Sequence, residues 1–286
     1  MSGPTASGPA DDRAADDRAA DDRAAEARTA DDSGTVDHIA VERIEDVVCS
    51  GDRLVRAAAR LSDGGLRAPS ELPGWTRGHV LAHVAHSVDA YVWLLRLAHT
   101  GREPSPRADA ATLSAAVGRD ATLSADRLVA RLRDSLDRFA AQARTTPAPA
   151  WDRLVPALAG WRHPAWYLLL RCLRELETHH LDLGVGHRTD QWPDAYVSWA
   201  LDDTLATLRA QDFPLTSVEA VDLGRRWPMT ARGPSVAGAG HQVLGWLSGR
   251  TPADTLTCDR PEHRLPRPPA WPQPPLPGWG RVDGEV

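Results

Sequence analysis

The sequence predicts a mainly α-helical protein, in which a four-helix bundle is followed by a small α+β domain. Apolar residues recur every three to four positions in long stretches between residues 38 and 212, which is the period of amphipathic helices. Short Gly- and Pro-rich loops separate these stretches, as in helical bundles. Near Phe213 this pattern gives way to short alternating segments, which predict strands.

The first 37 residues are predicted to form a disordered acidic tail. An Ala-Asp-Asp-Arg-Ala unit is repeated at 10–14, 15–19 and 20–24, and so polar a segment has little apolar area to bury. Residues 1–37 hold ten acidic residues and four arginines, which accounts for the whole net charge of −6. The rest of the chain is balanced in charge, so a nucleic-acid partner is not indicated.

Five helices are predicted after the tail, and four or five amphipathic helices with short connections indicate a bundle over residues 38–212. The second helix begins at Thr76, whose hydroxyl can cap the first turn. Gly- and Pro-rich stretches at 64–73 and 147–156 are predicted to be loops. The predicted helices span 38–62, 76–99, 112–145, 164–183 and 194–211.

A small α+β domain is predicted over residues 213–262, and a Pro/Trp-rich tail over 263–286. The tail is expected to be irregular, extended and packed on the surface, because proline cannot continue a helix or a central strand. Within the domain we expect strands at 218–221, 226–230 and 256–258 and a helix at 235–248.

Composition limits the location and the chemistry. No apolar run approaches the roughly 18 residues that a membrane span requires, and no secretory signal is visible, so we expect a cytoplasmic protein without a membrane partner. The cysteines Cys49, Cys172 and Cys258 are far apart and odd in number, which argues against disulfides and against a thiolate metal site. Cys172 is expected in the core.

Glu175 and His179 are the strongest candidates for chemistry. They lie four positions apart on one predicted helix and therefore share a face, so a carboxylate and an imidazole can converge on one cation. Asp182 is placed to orient a ligating imidazole. Glu177 points elsewhere and is expected to be a solvated charge.

The second helix carries His79, His83 and His86, spaced four and three residues apart. Taken alone, such a histidine pair is more often structural than ligating. Two clusters of metal-competent side chains on two helices of one bundle are more persuasive, because bundle cores commonly hold metals. Nitrogen and oxygen ligands without a thiolate suit zinc with an open fourth position, and they also suit non-haem iron.

Three motifs give the chain a resemblance to a known family. The run Leu72–His83 resembles the segment that opens the second helix in the mycothiol-dependent maleylpyruvate isomerase family, whose members are DinB-like metal-binding bundles. Arg174–Leu183 resembles the family's second signature, and Gly245–Arg250 resembles the end of its C-terminal domain. The resemblance covers about residues 38–258.

The resemblance implies that His83, Glu175 and His179 bind the metal and that His79 and His86 do not. It also implies that Arg250 faces the pocket as a catalytic residue, although an arginine at the end of a helix is more often a cap. His241 departs from the expected pattern, which leaves the substrate open.

The implied activity is conversion of maleylpyruvate to fumarylpyruvate, with zinc and mycothiol and a small-molecule substrate. The closest alternative is a mycothiol S-transferase that acts on another electrophile. A non-catalytic metal-binding bundle and a helical domain with unoccupied histidines are further alternatives. The sequence does not separate the isomerase from the transferase, and it leaves the oligomeric state open.

Overall fold

A computed structural model describes residues 42–260 and 264–276. The predicted acidic tail at 1–37 lies outside the described residues. The helices are α1 (42–58), α2 (Asp63–Arg67), α3 (Arg77–Thr100), α4 (Ala110–Asp120), α5 (Ala125–Arg144), α6 (Ala148–Trp151), α7 (Tyr167–Asp182), α8 (Asp194–Ala210) and α9 (Gly240–Leu247). The strands are β1 (Leu154–Pro156), β2 (Arg162–Pro164), β3 (Ser217–Ala220), β4 (Arg225–Pro228), β5 (Ser235–Gly238) and β6 (Thr257–Cys258).

The predicted fold class is confirmed, since α1, α3, α5 and α7 form a DinB-like helical bundle and a small sheet follows. Helix α3 contacts α4, α5 and α7 and is buried along much of its length. The predicted N-cap is present, because the Thr76 side chain accepts a hydrogen bond from the His79 amide at 3.3 Å. Within the described ranges, no helix is long and apolar enough to cross a membrane.

The third helix, predicted as one element over 112–145, is two helices. Residues between Asp120 and Ala125 form a turn, in which Ser124 has an extended backbone with ψ 158°. The Asp63 carboxylate accepts a hydrogen bond from the Ala125 amide at 2.7 Å and so caps the new helix. The break therefore depends on a residue far away in the sequence, which a local pattern does not contain.

Two segments predicted as loops contain regular structure. Helix α2 lies within 64–73, and α6 and β1 lie within 147–156. The fourth helix begins at Tyr167 and not at 164, because Arg162–Pro164 pairs antiparallel with β1 as a hairpin. As expected, Cys172 is fully buried on α7.

The C-terminal part has a four-stranded sheet in the order β4-β3-β5-β6. The helix predicted at 235–248 is partly wrong, because its first four residues form β5. This strand pairs parallel with β3, and its pairing provides hydrogen bonds that the local sequence does not reveal. Helix α9 then packs on β3, β5 and α8, while β6 lies where a strand was expected.

The described part of the Pro/Trp-rich tail, 264–276, is irregular, as expected, and it packs on the helices through Trp271. The Trp271 indole donates a hydrogen bond to the Thr204 hydroxyl at 3.2 Å. The Arg174 and Arg250 guanidiniums both lie 5.5 Å from its ring centroid. One hydrophobic cluster includes Leu208 and Val218 on the two sides of the predicted domain boundary, so the division into domains stays a prediction.

Candidate metal centre

Three predicted ligands, His83 on α3 and Glu175 and His179 on α7, meet between the two helices. The His83 and His179 Nε2 atoms lie 3.2 and 3.3 Å from Glu175 Oε2. One donor atom from each residue lies within 4.8 Å of the other two, which is compatible with a single cation. No other such group of three is found among the residues that the structure describes.

The two helices are held in register by contacts between the start of α3 and the end of α7. Arg77 donates hydrogen bonds to the Leu183 carbonyl at 2.8 Å and to the Gly184 carbonyl at 3.0 Å. The Glu71 amide donates to the Asp182 carbonyl at 2.9 Å. Arg77 thus satisfies free carbonyls at the α7 C-terminus, and its own helix carries His83 less than two turns further on.

Neighbouring side chains orient the candidate ligands. His179 Nδ1 donates to Asp182 Oδ2 at 2.9 Å, so the predicted contact with Asp182 is present. The Tyr91 hydroxyl donates to Glu175 Oε1 at 3.1 Å. These contacts leave His179 Nε2 and Glu175 Oε2 facing the centre, where a metal would bind.

The electrostatics of the cluster follow from burial and from the packing of opposite charges. Burial raises the pKa of Glu175, but contacts with His179 and His83 outweigh it and hold the pKa well below its usual range. Burial lowers the pKa of His179, but Asp182 and Glu175 raise it to about 9. Without a metal, His179 therefore carries a proton at neutral pH, which an incoming cation must displace.

The donor set fits a divalent metal. Glu175 Oε2 is buried and faces the Nε2 atoms of His83 and His179 at 3.2 and 3.3 Å, so its charge is balanced either by a protonated imidazole or by a bound cation. Two imidazoles and one carboxylate suit zinc with a free fourth position. The structure thus brings the three predicted ligands together, and their binding of a metal stays a prediction.

The other two histidines of α3 have different partners. His79 Nδ1 lies 2.8 Å from the Thr76 hydroxyl at the start of the helix. His86 Nε2 donates to Asp120 Oδ2 at 2.8 Å. Neither belongs to the group of three convergent donors. The expectation that they do not bind the metal stays a prediction.

Arg250 lies behind the candidate metal centre. Its Nε and Nη2 donate to Asp182 Oδ1 at 3.2 Å and Oδ2 at 3.0 Å, and its Nη1 donates to the Ser248 carbonyl at 2.6 Å. Arg250 thus supports the carboxylate that orients His179, and it also caps the end of α9. Arg250 lines a neighbouring cavity together with Asp182 and Trp271. Its role as a catalytic residue that faces the substrate stays a prediction.

The expectation that Glu177 is a solvated charge is wrong. Its side chain is 1% exposed and forms an ion pair with Arg53 and a hydrogen bond with Ser50, both on α1. Helix α1 covers the face of α7 that carries Glu177, and Arg53 neutralises the buried carboxylate. Sequence spacing shows which residues share a face, but it does not show which helix packs on that face.

A cavity of about 360 Å³ opens beside His83 and Glu175. Much of its wall is apolar, from Ala90, Leu94, Leu113, Val117 and Leu158. Arg107 and Arg171 also line it, and the sequence analysis did not select them. The position of Arg171, four residues before Glu175, offered a signal, whereas Arg107 lies in a loop without one.

Comparison with known proteins gives a match to one family model and a similarity to the fold of one solved protein. Residues 47–184 match the family model described as the mycothiol maleylpyruvate isomerase N-terminal domain. Crystal structures of the mycothiol-dependent maleylpyruvate isomerase and of its histidine-to-alanine mutant superpose with a TM-score of 0.72 at 24% identity. Each match covers 81% of this chain and 97% of the other. No match is found among curated proteins.

Proposed function

This chain carries, at residues 47–184, the N-terminal domain of the mycothiol maleylpyruvate isomerase family, and from this premise we propose that it is a zinc-dependent, mycothiol-using isomerase that converts maleylpyruvate to fumarylpyruvate. The observation that carries the proposal is the convergence of His83, Glu175 and His179 beside a cavity. A zinc ion at this site would favour the thiolate form of a thiol at neutral pH.

The isomerisation needs little acid–base chemistry from the protein. The thiolate sulfur adds to one carbon of the substrate's cis double bond. The π electrons of that bond move onto the neighbouring carbonyl oxygen. Rotation about the new single bond and return of those electrons expel the thiolate and leave the trans product, so no proton is gained or lost overall. The chain's own contribution is to hold His179 through Asp182 and Glu175 through Tyr91, and to exclude water with the apolar wall.

A mycothiol S-transferase is the second candidate, and the apolar wall of the cavity favours it. An electrophile with an apolar body would bury more surface there than a small polar acid would. The two activities differ in their use of thiol: the isomerase returns it, and the transferase consumes it. A non-catalytic metal-binding bundle remains a third candidate.

The test measures substrate and free thiol together. Zinc-loaded protein is mixed with maleylpyruvate, with and without mycothiol, while the substrate's absorbance and the thiol concentration are followed. We expect turnover that requires mycothiol and leaves its concentration unchanged. Consumption of thiol with an electrophile in place of maleylpyruvate would support the transferase, and turnover without any thiol would contradict both enzymes.

A cysteine-free variant is the matched control for this test. Cys49→Ser, Cys172→Ala and Cys258→Ser together should keep the mycothiol-dependent rate, because none of these thiols belongs to the group of convergent donors. Loss of turnover in a folded, zinc-loaded variant would show that a protein thiol takes part.

A further inference from the structure

Two arginines line the same cavity as the candidate metal centre. The Arg171 guanidinium lies between two aromatic rings, 5.0 Å from the Tyr91 centroid and 5.1 Å from the Trp161 centroid, and its Nη1 donates to His163 Nε2 at 3.0 Å. Arg107 lies 5.4 Å from the Trp93 centroid and donates from Nη1 to the Pro156 carbonyl at 2.9 Å. These contacts fix the direction of both side chains.

All these partners are neutral, so the charge of the two guanidiniums is not balanced by a paired acid. In the part of the chain that the structure describes, no carboxylate lies within 4.0 Å of either guanidinium. Burial and the charge of Arg171 both lower the pKa of Arg107, with only a partial offset from Glu103, which indicates that the two cations repel each other. An anion bound between them would relieve this repulsion.

His163 keeps Arg171 in place without cancelling its charge. It is fully buried, and its Nδ1 donates to the Pro164 carbonyl at 2.8 Å, so its Nε2 is the acceptor for Arg171. Burial lowers the pKa of His163 to about 4. A neutral imidazole thus orients a guanidinium, whereas a carboxylate at this position would have neutralised it.

The remainder of the cavity is suited to an apolar group. Leu94, Leu113, Val117 and Leu158 contribute to its wall, and Leu158 is 51% exposed. An exposed leucine at the edge of a cavity gains free energy when a ligand covers it, by about 25 cal/mol per Å² of apolar surface removed from water.

We propose that Arg107 and Arg171 form a carboxylate subsite, and that the substrate is a carboxylic acid electrophile whose apolar body lies against Leu113, Val117 and Leu158. This inference rests on the thiol chemistry proposed for the site, and it favours the second candidate, a transferase, because its substrate has an apolar body that a small polar acid such as maleylpyruvate lacks. Arginine suits the role because its planar group forms two parallel hydrogen bonds with a carboxylate.

The placement of Arg171 gives the subsite a function in the reaction. Arg171 lies four residues before Glu175, about one helical turn or ~5 to 6 Å along α7. A carboxylate bound by Arg171 therefore brings the carbon atoms next to it towards the metal centre, where the thiol would bind. The subsite orients the substrate and takes no part in proton transfer.

Binding of unreactive probes tests the inference on the full chain. Phenylpropionate has a carboxylate and an apolar body and no double bond that can accept a thiol; phenylpropionamide lacks the charge, and acetate lacks the body. By isothermal titration calorimetry we expect phenylpropionate to bind at least about tenfold more tightly than either of the other probes, a difference of ~1.4 kcal/mol.

Variants of the two arginines test which residues cause the preference for the carboxylate. Arg171→Gln and Arg107→Gln should each weaken phenylpropionate binding about tenfold and leave the amide unaffected, and Arg171→Lys should retain part of the preference through its charge. Arg188→Gln is the control, because Arg188 is 73% exposed and pairs with Asp190 at the surface. Zinc content and melting temperature are measured for each variant to confirm that it folds.

Repeating the titrations after zinc removal shows whether the preference for the carboxylate comes from the arginines or from the metal. The result does not depend on whether the thiol-dependent activity is found. Binding that keeps its preference for the carboxylate without zinc supports the arginine subsite, even if the thiol-dependent activity is not found. A preference that disappears with zinc and survives in both glutamine variants would show that the carboxylate binds the metal, and the inference would be wrong. Equal binding of acid and amide would also overturn it.

Discussion

Two of the three candidate ligands, His179 and Glu175, use one polar atom for an internal contact and present the other to the centre. Asp182 holds His179 through Nδ1, and Tyr91 holds Glu175 through Oε1. Such contacts fix the tautomer and direction of a ligand, and they commonly change metal affinity by about 10- to 100-fold. At the scale of single atoms, these contacts are compatible with metal ligands, and the binding of a cation stays a prediction.

The zinc content of single variants tests this interpretation. The purified protein should hold about one zinc per chain, and His83→Ala or His179→Ala should lose most of it, because two ligands bind a cation far more weakly than three. Metal is measured by mass spectrometry after dialysis. His86→Ala is the control on the same helix, since His86 pairs with Asp120, and it should retain its zinc.

Full zinc retention in both ligand variants would contradict the assignment. The zinc-free wild-type protein should also melt at a lower temperature than the loaded one, because a metal that binds only the folded state stabilises it. An unchanged melting temperature would mean that the cluster is a set of structural hydrogen bonds.

The buried His163 makes stability depend on pH. Its folded pKa of about 4 lies below the ordinary value of 6.5, so between these values the unfolded chain binds more protons. The free energy of unfolding should therefore fall as the pH is lowered from about 6.5 towards about 4. Urea unfolding of His163→Gln should show a shallower fall over this window, and an equal slope in both proteins would contradict the assignment.

At the scale of elements, the bundle is joined by buried ion pairs as well as by apolar contacts. Glu177 on α7 pairs with Arg53 on α1, and Arg174 on α7 pairs with Asp203 on α8. Asp203 also accepts a hydrogen bond from the Tyr167 hydroxyl at 3.2 Å. Both acidic members are nearly inaccessible, so removing one partner leaves the other without compensation.

The pair between α1 and α7 should therefore matter much more than one at the surface. Glu177→Ala should lower the free energy of unfolding by about 3 kcal/mol or more, because Arg53 and Ser50 lose their acceptor. Glu45→Ala is the matched control: it removes the ion pair with Arg144, whose side chains are 52% and 58% exposed, and it should cost no more than about 1 kcal/mol.

Both values are measured by urea unfolding. A cost for Glu177→Ala that is no larger than that of the surface control would show that Arg53 reaches water when its partner is lost, since its side chain is 33% exposed.

At the scale of the whole molecule, the described part of the Pro/Trp-rich tail connects the bundle to the C-terminal part. Trp271 contacts Arg174, which belongs to α7, and Arg250, which follows α9 and supports Asp182. A chain segment without regular structure thus lies behind the candidate metal centre. Its contribution comes from side-chain contacts, since no strand or helix pairs with it among the described residues.

Trp271→Ala tests this connection. It should lower the free energy of unfolding by about 1 to 2 kcal/mol, through the loss of two cation–π contacts and of packing. Gln273→Ala is the control in the same segment and should change stability by less than about 0.5 kcal/mol. Zinc content should be unchanged in both variants, and equal stability of the two would show that the tail is only loosely attached.

The sequence by itself determined the features that depend on local spacing. The helical period predicted the bundle, Thr76 predicted the start of α3, and the spacing of four residues placed Glu175 and His179 on one face. A helix repeats every 3.6 residues wherever it lies, so such relations follow from the order of residues alone.

Tertiary structure decided the features that depend on which elements meet. It brought His83 next to α7 and buried Glu177 under α1. It also placed Arg250 behind Asp182 and made Arg107 and Arg171 line the same cavity. It also split the predicted third helix through a cap from Asp63. Each of these contacts joins residues distant in sequence, and their free energy exists only once the chain has folded.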